Sequence, residues 1–264
     1  MERIANTFAN SKKVLISYIV AGDPDCDTTV DLMHALANNG TDIIELGIPF
    51  SDPMADGATI QRATQRAVDK HVGLKDVLNI VSIFRQKNTH TPIVLMGYLN
   101  PIFHLGYEEF ARLAQNAGVD GVLTVDYTAD NIDEFSGSLK EHNISTIFLI
   151  APTTSETRIK MIVQKAEKSQ GFIYCVSLKG VTGAASLDVE NVANRLAVIR
   201  KYTKLPLAVG FGVKTAQDAQ QVASCADAVV VGSSFVKAIE DNANDVANAV
   251  AKLSNHLKTA IMSL

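Results

Sequence analysis

Three carboxylates lie close together in the stretch 43–61, IIELGIPFSDPMADGATIQ, and their types suggest proton chemistry. Glu45 sits inside a run typical of a buried strand, while Asp52 and Asp56 follow in a loop broken by proline and glycine. A desolvated carboxyl has a raised pKa that suits proton transfer near neutral pH, whereas a more solvated one stays ionised. The arrangement predicts an acid/base pair formed by Glu45 and Asp56.

The alternation of the strand indicates where Glu45 points. Ile44, Leu46 and Ile48 share one face of the run, so Glu45 lies on the other. If the aliphatic side chains pack against helices, Glu45 points to the opposite, interior side. The alternative is a salt bridge to an inward Lys or Arg, since Glu is almost never fully buried unless it is paired. No other predicted strand supplies such a cation, which favours catalysis.

Other polar residues carry competing interpretations. Asp52 and Asp56 suit turns and caps as well as chemistry, and Asp52, directly before Pro53, favours the former. Tyr174, in the sixth apolar run, either presents its hydroxyl to the same site or makes a local hydrogen bond in the core. We find no Ser–His or Cys–His pair, no strand lysine suited to a Schiff base and no metal-ligand spacing, so no metal is expected.

Glycine-bearing turns follow the sixth, seventh and eighth apolar runs: KGVTGAAS, VGFGVKTAQDA and VVGSSFVKAI. Glycine permits close backbone approach, and a short helix predicted at Ser234–Ile239 would present free amides to an anion. One such turn is an ordinary cap, but in eight-stranded barrels the loops after strands 7 and 8 are the recurrent phosphate site. The turns after the seventh and eighth runs together therefore predict phosphate binding. Lys179 and Lys214 are interpreted as surface lysines in preference to phosphate ligands.

Eight short apolar runs must position these residues, with amphipathic segments between them. The runs are VLISYIV, DIIELGI, PIVLMGY, GVLTV, STIFLI, GFIYCVS, LPLAVG and DAVVVG. Strands apolar on both faces are typical of a parallel sheet. The alternation predicts a (β/α)8 TIM barrel that occupies residues 1–264 as a single domain, with an extra N-terminal helix at Glu2–Asn10 and a short extra helix after strand 8. A doubly wound sheet is disfavoured because GxGxxG is absent after the first strand.

Composition excludes several classes of function. The 264 residues carry a net charge of −4 with a pI near 5.9, which gives no general attraction to nucleic acid or to a membrane surface. Three cysteines without CxxC spacing fit a reducing compartment. A polar N-terminus and the lack of a long apolar span predict a cytoplasmic protein.

The stretch ELGIPFSDPMADGATIQ resembles the signature of the tryptophan synthase alpha subunit family. The resemblance continues through YIVAGDP, MGYLNPIF, APTT, YCVSLKGVTGA, VGFGV and VVGSSFVK. It implies a carbon–carbon lyase that cleaves indole-3-glycerol phosphate, a small phosphate ester, into indole and glyceraldehyde 3-phosphate in a retro-aldol reaction. The alpha chain of this family needs no cofactor. It works in an alpha–beta–beta–alpha complex and passes indole to a pyridoxal-phosphate beta subunit in the last step of tryptophan biosynthesis.

The resemblance also implies a role for each matched residue. Glu45 matches the general acid/base, Asp56 the carboxylate that accepts a hydrogen bond from the indole N–H, and Tyr174 the tyrosine near the catalytic glutamate. The other matches are phosphate contacts at Gly183, Gly212, Gly232 and Ser233, indole-pocket positions at Tyr18 and Met96, a lid with Lys179 and Thr182, and partner-facing positions at Asp52, Pro53 and Asn100.

Two departures from the family pattern stand out. Ala58 replaces the proline common after ADG, and DYTADN at 126–131 differs from the usual stretch after strand 4. Two alternatives stay open: a free-standing lyase that releases indole, and a phosphate-binding barrel without turnover. Stimulation by a beta subunit tests the first, and indole formation by the purified chain tests the second.

Overall fold

The apolar runs form one parallel sheet in the computed structural model, which describes residues 2–176, 188–210 and 212–264. The strands are β1 (Val14–Val20), β2 (Ile43–Gly47), β3 (Ile93–Gly97), β4 (Gly121–Thr124), β5 (Ser145–Thr146), β6 (Phe148–Ile150), β7 (Ile173–Val176), β8 (Leu207–Gly210) and β9 (Ala228–Val231). Their order in the sheet is β5-β4-β3-β2-β1-β9-β8-β7-β6.

The two ends of this sheet are consecutive in the chain. Only Ile147 separates β5 from β6, and its amide donates to the carbonyl of Val122 at 2.8 Å, so the pairing with β4 continues past β5. The predicted fifth strand is therefore present as two short pieces, one paired with β4 and one with β7. The result is a nearly closed barrel, which confirms the predicted fold class.

Helices surround the strands. They are α1 (Glu2–Asn10), α2 (Cys26–Asn38), α3 (Ala58–Asp69), α4 (Leu74–Arg85), α5 (Leu99–Leu105), α6 (Tyr107–Ala117), α7 (Asp133–Glu141), α8 (Glu156–Ser169), α9 (Val189–Arg200), α10 (Ala216–Ala223), α11 (Ser233–Asp241) and α12 (Val246–Met262). The predicted N-terminal helix is confirmed, and the short helix after the last strand is α11, slightly longer than expected. No helix in the described part of the chain is long and apolar enough to cross a membrane.

Side-chain alternation divides the buried residues into two layers. Ile44 and Leu46 belong to the layer between the sheet and the helices, whereas Ile43 packs inside the barrel with residues such as Tyr18 and Met96. Successive residues of a strand point to opposite faces, so Glu45 projects into the barrel as the sequence predicts. It lies on the same face as Ile43 and opposite to the aliphatic pair.

The amino-terminal end of the barrel repeats one arrangement three times. Asp42, Asp120 and Asp227 stand directly before β2, β4 and β9, and the side chain of each accepts a backbone amide at the start of the preceding paired strand: Leu15, Ile93 and Leu207 respectively. Each carboxylate also meets a cation from a helix: Lys258, Arg85 and Arg200 respectively. The corresponding position before β7 is the buried Phe172. These contacts fasten neighbouring strands at the end of the barrel away from the candidate site.

Candidate active site

A cavity of about 760 Å³ opens at the carboxyl end of the strands. Loops after β2, β8 and β9 form its rim, and its floor consists of inward strand residues. Its lining includes Tyr18, Glu45, Asp56, Met96, Tyr174, Gly212, Gly232 and Ser233. The cavity thus joins the acidic and the glycine-rich regions singled out in the sequence, which are separated by more than 150 residues along the chain.

Glu45 is buried on the floor of this cavity. Its side chain is 1% exposed, and its Oε1 atom has no hydrogen-bond partner among the described residues. Burial, and secondarily the negative charge of Asp56, raises the pKa of Glu45 to about 8. A carboxyl group with this pKa carries a proton at neutral pH and can release it to a substrate and take another one back.

Two tyrosines line the same cavity as Glu45. Tyr18 is its register partner on β1, and Tyr174 lies on β7. Both rings are buried, and burial raises the pKa of each phenol well above its ordinary value, so both remain protonated. Each hydroxyl sits against a glycine: a Cβ on Gly47 would lie 2.3 Å from the Tyr18 oxygen, and one on Gly210 would lie 2.1 Å from that of Tyr174. These two glycines make room for the phenols.

Asp56 is held in the loop after β2 by Tyr98, which directly follows β3. The Tyr98 hydroxyl donates to Asp56 Oδ2 at 3.2 Å and accepts the amide of Ala55 at 2.9 Å. Asp56 is half-buried, and its burial raises the pKa, which the hydrogen bond from Tyr98 opposes. The side chain of Gln61, in the first turn of α3, donates to the Asp56 carbonyl at 2.8 Å. The Asp56 carboxylate thus lies at the cavity rim, and hydrogen bonds to the Ala55 amide and the Asp56 carbonyl hold the backbone around it.

The opposite rim is built from a helix start and a glycine turn. Gly232 precedes α11, and its carbonyl accepts the amides of Phe235 at 2.9 Å and Val236 at 3.1 Å. Gly212 has a φ of +88°, a conformation that favours glycine. The Ser234 hydroxyl donates to the Lys214 carbonyl at 2.9 Å, which ties the two turns together. A half-buried helix start of this kind attracts an anion.

The loop after β2 and helix α5 carry exposed apolar side chains beside the predicted partner-facing residues. Asp52 and Asn100 are exposed and Pro53 is half-buried. Met54 follows Pro53 with an exposed fraction of 85%, and Phe103 follows Asn100 in α5 with 65%. Both side chains thus lie close in the chain to residues that the family resemblance assigns to the partner-facing surface.

Comparison with protein families places the chain. The family model for the tryptophan synthase alpha chain matches residues 4–262. The chain belongs to the tryptophan synthase alpha chain family. Alpha chains of this family catalyse the cleavage of indole-3-glycerol phosphate, a lyase reaction. The resemblance found in the sequence is thereby confirmed.

Relatives support this membership over the full length. The tryptophan synthase alpha chain of Neisseria meningitidis serogroup B is 52% identical over 263 residues, covering 99% of this chain and 100% of that one. The alpha chain of Thiobacillus denitrificans is 56% identical over 244 residues, covering 91% and 88%.

Among solved structures, the alpha subunit from Legionella pneumophila strain Paris superposes with a TM-score of 0.92 at 42% identity, covering 100% of both chains. A chain of the tryptophan synthase α2β2 complex from Pyrococcus furiosus gives 0.84 at 39% identity, covering 92% of this chain and 97% of that one.

Within this family fold, most of the predicted site residues come together. Glu45, Asp56, Tyr174, Tyr18 and Met96 line one cavity with the phosphate-end residues Gly212, Gly232 and Ser233. Lys214, interpreted from the sequence as a surface lysine, is exposed but also lines this cavity. The predicted phosphate contact Gly183 and the predicted lid residues Lys179 and Thr182 lie outside the described residues. The roles of all these residues stay predictions.

Sequence reasoning missed Tyr98, Gly47 and Gly210. A tyrosine as the last residue of the third apolar run was a usable signal, because a phenol at the carboxyl end of a strand faces the loops of the site. The two glycines end β2 and β8, where a close approach by another group is one reason for glycine. Ala58, which departs from the family pattern, begins α3 and lines the cavity.

Proposed function

We propose that this chain cleaves indole-3-glycerol phosphate with Glu45 as the group that moves protons. The observation that carries the proposal is a buried carboxyl with an unpartnered oxygen among the described residues, in a cavity whose opposite rim suits a phosphate. With a pKa near 8 it is protonated at neutral pH. It is therefore ready to act first as an acid.

The reaction balances with this one carboxyl. Glu45 gives its proton to C3 of the indole ring, which becomes an indolenine with a cationic nitrogen. The resulting carboxylate then takes the proton of the glycerol hydroxyl next to the ring, and that oxygen becomes the aldehyde of glyceraldehyde 3-phosphate. The carbon–carbon bond breaks and its electron pair returns to the ring to give indole. Glu45 ends the cycle protonated.

The remaining residues hold the two ends of the substrate. Asp56, fixed by Tyr98, accepts the indole N–H and stabilises the positive charge that develops on the nitrogen. The start of α11 at Ser233, with Gly212 and Gly232, holds the phosphate. Tyr18 and Met96 enclose the ring, and Tyr174 keeps its phenol beside Glu45. The residues from 179 to 183 complete the proposal as lid and phosphate contacts, from the sequence resemblance alone.

We further propose that the chain works with a beta subunit, which holds pyridoxal phosphate and uses the indole. The similar α2β2 complex from Pyrococcus furiosus supports this, and so do the exposed Met54 and Phe103 beside Asp52, Pro53 and Asn100. The proposed alpha reaction uses side chains only and requires no cofactor on this chain. The cytoplasmic location and the single-domain organisation stay predictions.

Purified protein incubated with indole-3-glycerol phosphate tests the first proposal, with indole formation as the readout. Turnover by the wild-type chain that disappears in Glu45→Gln supports it, and absence of indole from the wild type contradicts it. Adding a beta subunit tests the second: turnover should rise, and Phe103→Asp should remove the rise while leaving isolated turnover unchanged. Met262→Asp, at an exposed apolar residue of α12, is the control. Turnover that does not respond to the beta subunit favours a free-standing lyase.

A further inference from the structure

The proposed substrate has two recognised ends, and different elements of the barrel hold them. The phosphate end meets the start of α11 at Ser233, and the indole end meets Asp56, which lies two residues before α3 begins at Ala58. Catalysis depends on the distance between these elements, because the bond that breaks lies between the two ends. Something must therefore fix α3 relative to α11.

Glu240 makes the charged contact between these helices. It lies in the last turn of α11, where a carboxylate opposes the helix dipole and is unfavourable unless it is compensated. Arg62 of α3 compensates this charge with two hydrogen bonds. Its Nε donates to Glu240 Oε1 at 2.8 Å and its Nη2 donates to Oε2 at 2.7 Å. Arg66, one turn later on α3, adds a third bond at 3.1 Å. The arginines lower the pKa of Glu240 to about 2, so it stays ionised.

Arg66 extends this contact into the barrel. Its other nitrogens bind both oxygens of Asp23 at 2.7 and 2.9 Å, and Asp23 is 1% exposed in the loop after β1. A planar guanidinium held on two sides has little freedom to shift. Arg66 thereby connects α3 and α11 to the loop after β1, the strand that carries Tyr18.

The contact also reaches the Asp56 loop. Arg62 donates to the Ala58 carbonyl at 3.4 Å, in the first turn of α3, and the neighbouring Gln61 donates to the carbonyls of Asp56 and Pro53. A displacement of α3 along α11 would thus move Asp56 with it. Arg62 and Glu240 are partly exposed, so their ion pair is a weak source of overall stability. The geometry of this ion pair instead sets the distance between α3 and α11.

We propose that Glu240 is a positioning residue that, through Arg62 and Arg66, fixes the separation between the Asp56 loop and the phosphate-binding start of α11. The inference rests on the proposed function, because it takes Ser233 and Asp56 as the two ends of the site. Glu240 touches no substrate in this assignment. It acts by keeping the two halves of the site at the spacing that a two-ended ligand requires.

The test compares a one-ended with a two-ended ligand in Glu240→Gln, which removes the charge but keeps the size. Glycerol 3-phosphate engages only the phosphate end, whereas indole-3-propanol phosphate, which lacks the reacting hydroxyl, spans both. We expect the dissociation constant of glycerol 3-phosphate to change less than about twofold. The two-ended analogue should weaken about tenfold, as expected when two subsites lose their matched spacing. The kcat/KM for indole-3-glycerol phosphate should fall with it.

Glu109→Gln is the matched control. Glu109 forms a two-pronged pair with Arg112 at 2.8 Å for both bonds, but both lie within α6 and are exposed. This variant should bind both probes like the wild type. Arg62→Gln, at a residue 53% exposed, should reproduce the selective loss and guards against a folding defect in Glu240→Gln.

Three outcomes overturn the proposal. Affinity for the two-ended analogue within twofold of the wild type shows that the spacing does not depend on Glu240. Equal losses for both probes show that Glu240 only shapes the phosphate end. A lowered melting temperature with unchanged dissociation constants shows a structural role. Failure of the proposed function is seen separately, as a wild-type chain that forms no indole.

Discussion

Three aspartates at the amino-terminal end of the barrel and Glu45 at the carboxyl end have opposite surroundings. At the amino-terminal end, Asp42, Asp120 and Asp227 each meet a backbone amide and a helix cation. At the carboxyl end, Glu45 is buried with an oxygen that has no partner among the described residues. The ion pairs of the three aspartates fix neighbouring strands. Glu45 has no such ion pair among the described residues, and it therefore keeps a proton available for transfer. The same fold thus separates stability from chemistry by position.

Glu45→Gln is the strongest test of this contrast. The amide cannot carry the proton, so we expect turnover to fall by about 10³-fold or more, within the range for general acid–base catalysis. The rate of the wild type should fall as pH rises through about 8, where Glu45 loses its proton. Steady-state rates measured between pH 6 and 9 decide this.

The same variant should gain stability. A raised folded pKa means that the unfolded chain releases the Glu45 proton above about pH 4.5 while the folded chain keeps it to about pH 8, so folding stability is lost over that window. The substitution removes this loss, and we expect a gain on the order of 4 kcal/mol at pH 8 and almost none at pH 4. Unfolding in denaturant measures it. Lower stability of the variant at pH 8 would contradict our view of Glu45.

Asp120→Asn tests the amino-terminal end. Asp120 is 2% exposed and binds Arg3 and Arg85, so its loss leaves two cations without their partner. We expect a loss of about 3 kcal/mol in the free energy of unfolding, with kcat/KM of the folded protein within about twofold of the wild type. Asp227→Asn removes the same type of contact at a carboxylate that is 41% exposed and should cost less. A large loss of turnover in folded Asp120→Asn would break the division between the ends.

Asp56→Asn tests the more solvated of the two carboxyl groups, Glu45 and Asp56. The neutral amide retains a hydrogen-bond acceptor but stabilises the cationic nitrogen poorly, so a rate loss of about 10²-fold is expected without loss of fold. Melting temperature and rate measured on the same sample separate the two effects. An unchanged rate would remove Asp56 from the mechanism.

Tyr98→Phe should have the smallest effect. It removes one hydrogen bond to Asp56 and one from the Ala55 amide, each worth about 1 kcal/mol. Turnover should fall by roughly tenfold while the ring still packs against Phe50. Combined with Asp56→Asn, the two losses should be less than additive, because Tyr98 acts through Asp56. Full additivity would show independent roles.

Local pattern was sufficient for part of this molecule. The apolar runs and the alternation around Glu45 indicate parallel strands and an inward carboxyl, because both depend on neighbouring residues only. The division of the fifth strand at Ile147 was not predictable, since the run STIFLI contains no glycine or proline that would signal a break. Tyr98 meets Asp56 across 42 residues, and Glu240 meets Arg62 across 178. Such contacts depend on tertiary geometry that no local spacing encodes.

The division of the fifth strand into β5 and β6 has a consequence for local opening. Phe172 stands before β7 where β2, β4 and β9 each have an aspartate, and β6, which pairs with β7, is only three residues long. This sector lacks the side-chain clamp and has few ladder bonds to break. Regions of this kind open at lower free energy than the rest of a protein. Amide hydrogen exchange should therefore begin at β6 and β7, and the barrel should unroll from that seam.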